Sequence, residues 1–195
     1  MAIAFLRASL CIVALVAAEH ASAQQGSDAA REKRWADQVL ASLVVGDPAW
    51  LAAADGVRFL ALFASPERAK AGVILAHGPG LHPDPGIIGE LRVALVDRGF
   101  ATLSLQMPVL PAEDEAGTGY RELFPEAVQR IAAGMAFLHG RGFKRIAIVS
   151  HAMGSGMSYE YLRRNRDAPV FAWAALSFYG VFDELGRAPF PVFDL

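Results

Sequence analysis

The sequence predicts an α/β fold, a mostly parallel sheet with helices on both faces. Two observations carry that expectation. Short, continuous apolar runs at Gly72–Ala76 and Ile146–Val149 read as strands buried on both faces, and Ala101–Leu105 reads as a further strand. Between them lie longer stretches with apolar residues at helical spacing, the alternation that parallel crossover units require. The chain has 195 residues, 54% of them hydrophobic and 19% charged. That composition supplies a sizeable core and argues against disorder. A net charge of −2 leaves no basic footprint, which excludes nucleic acid as a partner and gives anionic lipid nothing to attract.

Taken in order, the chain opens on a targeting signal. Met1–Arg7 carries one positive charge, Ala8–Ala18 is apolar, and Ala21-Ser22-Ala23 is a small-residue cleavage site before Gln24. The apolar run is short for a membrane span, which needs about 20 residues; an uncleaved anchor is the alternative reading. The single cysteine, Cys11, lies inside this signal, so the mature chain would hold no thiol and no disulfide. Export without disulfides fits a bacterial periplasm. Residues 24–48 form an N-terminal extension whose charged stretch Ala29–Leu43 reads as a short amphipathic helix. The domain proper runs from Ala49 to the end, with no linker or repeat inside it. Ala49–Ala54 and Val57–Ala64 are strand-like and flank Asp55-Gly56, a two-residue hairpin signal.

The apolar strand Gly72–Ala76 runs into His77-Gly78-Pro79-Gly80, a loop open to unusual backbone angles. Helical spacing follows over Ile87–Arg98, stopped by Gly99, then the strand Ala101–Leu105 and a Pro-, Glu- and Asp-rich loop, Met107–Gly119. Leu123–His139 is a second helix with Val128, Ile131, Ala132, Met135 and Leu138 on its buried stripe. The strand Ile146–Val149 meets a tight turn and a helix over Met153–Arg164. Ala172–Phe178 is another buried strand, and Pro191–Leu195 reads as one more with no helix after it. A buried strand with no covering layer leads us to expect a fold lacking its C-terminal strand and helix elements.

The richest stretch is Arg145–Gly156, in which Ser150-His151-Ala152-Met153-Gly154 falls on the strand-turn-helix pattern Gly-x-Ser-x-Gly. Together with Val73–Gly80, His82-Pro83-Asp84, Ala101–Pro108 and Pro191–Leu195, it resembles the α/β-hydrolase superfamily, and more narrowly an uncharacterised group of exported bacterial α/β-hydrolase-like proteins. The order of these motifs is informative for fold and much less so for activity. The resemblance implies that Ala152 occupies the nucleophile position and that oxyanion donors would come from Met153 N–H and the Gly78–Gly80 loop. It also implies an acid and then a histidine later in the chain, yet no histidine follows His151, and Asp183 and Asp194 are the only late aspartates.

An alanine cannot form an acyl-enzyme. The displaced candidates are therefore Ser150, two residues earlier on the same side of the strand, Ser155 in the first helical turn, and His151 between them. Each has a structural alternative, since serines at helix starts commonly bond local backbone groups. His77 is expected to shape its loop, His82-Pro83-Asp84 to be a surface turn rather than a ligand loop, and His139 to favour a helix C-terminus. His77, His82 and Asp84 make the nearest approach to a metal set and lack ligand spacing. Gly154-Ser155-Gly156 falls short of a dinucleotide loop, and Glu113-Asp114-Glu115 reads as solvated. No cofactor and no metal are expected. The sequence thus predicts a non-catalytic, hydrolase-like protein that binds a small apolar or acyl-bearing ligand over the strand ends. Its rivals are a weak ester or amide hydrolase using Ser150 or Ser155, and an envelope interaction protein.

Overall fold

The computed structural model describes residues 26–114, 118–178 and 188–195. Residues 1–23, expected from the sequence to be a targeting signal and containing Cys11, lie outside the described residues, as do Glu115 and Asp183.

Among the described residues seven strands, numbered in chain order, form one sheet in the order β1-β2-β4-β3-β5-β6-β7. Strands β1 (Asp47–Ala52) and β2 (Arg58–Ala64) pair antiparallel, and β2 meets β4 (Ala101–Leu105) antiparallel. The rest is parallel: β3 (Gly72–Ala76), β5 (Ile146–His151), β6 (Val170–Leu176) and β7 (Val192–Asp194). The expected architecture is therefore present. The hairpin is longer than its Asp55-Gly56 signal suggests, with Ala52 opposite Arg58 and five residues between. The Asp55 carboxylate caps Val57 N–H, while Gly56 takes φ +86, so the dipeptide shapes the loop without constituting all of it.

Helices α1 (Ala29–Ser42) and α2 (Gly86–Asp97) cover one face; α3 (Phe124–Gly140) and α4 (Met153–Arg164) cover the other. Strand alternation sorts the core accordingly. Val73 and Leu75 pack with Ile88 of α2, whereas Ile74 and Ala76 join Ile131, Met135 and Leu138 of α3. On β2, Leu60 and Leu62 receive Ala36 and Val39 of α1, and Phe59 and Ala61 face the larger core. Among the described residues no helix is long and apolar enough to cross a membrane.

Two buried arginines tie the loops to this frame. Arg130 on α3 makes a two-bond pair with Glu32 of α1, at 3.0 and 2.9 Å, bonds Glu126, and donates to Gln106 O at 2.8 Å. Burial pushes the Glu32 carboxyl up, with Arg130 pulling it back. Arg92 on α2 pairs with Asp84 and donates to Val45 O at 2.6 Å. His82-Pro83-Asp84 is consequently not a plain surface turn. His82 packs on Trp35 of α1, and Pro83 O accepts from the buried Ser104 hydroxyl at 2.7 Å.

Candidate functional site

The parallel register sets the site. Ala76 lies opposite Ser150 where β3 pairs with β5, so the two strands end level and the His77–Gly80 loop emerges beside the turn at Ala152. Gly154 makes that approach feasible: a Cβ there would stand 2.4 Å from His77 O and 2.5 Å from Ala76 O. Gly78 closes the gap from the other side, where a Cβ would meet His151 Nδ1 at 3.1 Å and the Ala152 methyl at 3.4 Å.

Ala152 has φ 49 and ψ −118, a conformation that costs a residue with a Cβ about 1–3 kcal/mol. It is held by Ala152 N–H donating to Leu176 O at 2.8 Å and by its own carbonyl accepting from Ser155 N–H at 2.9 Å. Strand β5 thus turns sharply into α4 through a strained residue, a strand-turn-helix backbone like that of a nucleophile elbow, with a methyl side chain at its tip. Met153 N–H, at the first position of α4, has no acceptor within its helix. In the facing loop Pro79 has no N–H and Gly80 N–H donates to the Tyr120 hydroxyl at 2.9 Å, which narrows the loop's contribution to Gly78.

The neighbouring polar groups serve the fold. Ser150 is fully buried and its hydroxyl accepts from Trp173 Nε1 at 2.8 Å. Ser155 is also fully buried, its hydroxyl directed to Leu176 O. Neither hydroxyl reaches solvent, so neither serine has access to a substrate. His77 accepts from Met107 N–H on Nε2 at 2.9 Å, which leaves Nδ1 to carry the proton and donate to Gly78 O at 2.8 Å. Burial lowers its pKa to about 3. It is a neutral tie between the β3 and β4 loops, with both nitrogens engaged and neither left for a metal. His151 Nδ1 is buried against Gly78 without a partner among the described residues. His139 lies in the last turn of α3, and Glu113 and Asp114 are exposed.

A cavity of about 510 Å³ opens over the Ala152 methyl. Its walls are Phe124 and Pro125 of α3, Phe178 beyond β6, and the α4 residues Met153, Gly156 and Tyr159; Arg121, Glu160 and Arg164 complete it. The α4 members are spaced three and four apart from the elbow onward, so this stripe was legible once Met153–Arg164 was read as a helix. Arg121, Phe124 and Phe178 carried no such signal, because different elements bring them together.

Comparison with known proteins agrees with this geometry. The DUF3530 family, described as proteins of unknown function, matches residues 1–122. The chain belongs to DUF3530. No curated protein matches it. Among solved structures, this DUF3530 chain is similar to a dienelactone hydrolase-like promiscuous phosphotriesterase from metagenomic libraries, with TM-score 0.58 and 21% identity, covering 76% of this chain and 67% of that one. It is similar to a cold-adapted esterase from an Arctic intertidal metagenomic library, with TM-score 0.61 and 18% identity over 75% of this chain and 69% of that one. Est1E from Butyrivibrio proteoclasticus gives TM-score 0.56 and 20% identity over 72% of this chain and 54% of that one. The DUF3530 chain therefore has the α/β-hydrolase fold and spans about half to two-thirds of these proteins' lengths. The family match stops before the elbow, so membership rests on the β1–β4 half and the fold assignment on the whole sheet.

Proposed function

We propose that this protein is an exported, non-catalytic α/β-hydrolase-fold protein that binds a small apolar or acyl-bearing ligand in the cavity over Ala152. The observation that carries the reading is the elbow itself: φ 49 and ψ −118 at Ala152, with a methyl group facing a cavity of about 510 Å³. A volume of that order suits a small organic ligand. Nucleophilic catalysis needs a nucleophile and a base within hydrogen-bond reach. Here Ser150 and Ser155 are buried and bonded to the fold, and His77 has both nitrogens engaged. Export is supported by the charged, apolar and small-residue segments of residues 1–23.

The test is covalent labelling of the 195-residue chain with a fluorophosphonate probe, read by intact-mass and peptide mass spectrometry, beside turnover of 4-nitrophenyl butyrate. The wild type is expected to show neither an adduct nor turnover. Ala152→Ser is expected to remain without appreciable esterase activity, because a hydroxyl alone brings no base. An adduct on Ser150 or Ser155 in folded wild type, or turnover by Ala152→Ser, would overturn the non-catalytic reading.

A further inference from the structure

We propose that the ligand of the Ala152 cavity is an amphiphilic carboxylate, its headgroup paired with Arg121 and its chain lying against Phe124, Met153 and Phe178; this rests on the binding reading above. The argument is one of charge and covering. Three charged residues border the cavity, Arg121, Glu160 and Arg164. Glu160 is already engaged: Arg163 donates to both its oxygens at 3.0 Å, and Arg164 Nε donates to one of them. Those arginines hold the Glu160 carboxyl below its ordinary range. Arg163 and Arg164 thus share the one carboxylate at the rim, and Arg121 adds a further positive charge.

Among the described residues no carboxylate lies within ion-pair distance of Arg121. It stands on the 3-10 helix Thr118–Leu123, immediately before Phe124. Arg121 is exposed at the cavity edge, where a neutral ligand gives its guanidinium no partner and a carboxylate does. A cationic ligand would add repulsion. A single carboxylate matches the fork of one arginine. The remaining walls, Phe124, Pro125, Met153 and Phe178, are suited to an alkyl chain. The site would thus hold the kind of molecule that ester cleavage releases, beside a residue that cannot cleave.

Isothermal titration of decanoate, decanol and decyltrimethylammonium into the folded protein tests this. Decanoate is expected to bind about fivefold more tightly than decanol, the scale of one partly exposed ion pair, with decyltrimethylammonium weakest. Arg121→Met should abolish the preference of decanoate over decanol, while Arg121→Lys should retain most of it. Equal affinities for decanoate and decanol, or a preference that survives Arg121→Met, would overturn the carboxylate assignment while leaving apolar binding intact. Failure of all three ligands to bind would instead overturn the binding reading on which it rests.

Discussion

Around Arg130 and around Ala152 the protein accepts two different local costs, and it balances them in different ways. Arg130 is a buried charge, and its guanidinium is satisfied in full view by Glu32, Glu126 and Gln106 O. Ala152 is a strained backbone, and its side chain makes no bond that could compensate. Its conformation is enforced from outside, by the level ends of β3 and β5 and by Gly154 and Gly78 letting two backbones close on each other. The first region is explained entirely by stability. The second holds a strained turn through its neighbours alone, and the cavity above it is the feature that stability does not account for.

The comparison can be tested most severely at Arg130. Arg130→Met would leave Glu32 and Glu126 buried without their cation, a loss of about 3–5 kcal/mol measurable by urea denaturation, with α1 the first element to lose amide protection. A much smaller loss would mean that the carboxylates find water, and that α1 is held mainly by Ala36 and Val39.

A second test uses pH. His77 is held neutral, with its folded pKa lowered to about 3 against about 6.5 when unfolded. Between those values the unfolded chain binds the extra proton, so this contribution is complete above pH 6.5 and lost as pH falls toward 3. The slope is about 1.4 kcal/mol per pH unit, or about 2 kcal/mol between pH 6.5 and 5. Urea melts at a series of pH values should show it, and His77→Gln should flatten it; an unchanged slope would show that other groups carry the acid sensitivity.

The smallest effect is expected at the elbow. Ala152→Gly removes the strained Cβ, and relief of about 1–3 kcal/mol is partly offset by the greater freedom of glycine in the unfolded chain. Thermal melts should therefore show a net gain of about 1 kcal/mol. A loss would mean that the Ala152 methyl contributes packing that outweighs its strain.

What was legible in the sequence and what was not divides along the same line. Strands β3 and β4 and helix α4 were readable to the residue, because apolar runs and helical periodicity are local consequences of burial. The tight turn at Ala152 was readable as a strand-turn-helix motif. The fate of the hydroxyls at Ser150 and Ser155 was not, since it depends on Trp173 and Leu176 of β6 arriving beside them. His82-Pro83-Asp84 looked like a surface turn because its partners, Trp35, Ser104 and Arg92, lie on three other elements.

The sequence by itself determined the alternation of strands and helices and the turn at Ala152, both of which follow from residue type and short-range spacing. Only the tertiary structure decided that His77 is a neutral tie, that Ser150 and Ser155 are spent on the fold, and that Arg121 meets Phe124, Met153 and Phe178 around one cavity. Burial and hydrogen-bond partnership are properties of elements brought together across the sheet, and no single stretch of chain encodes them.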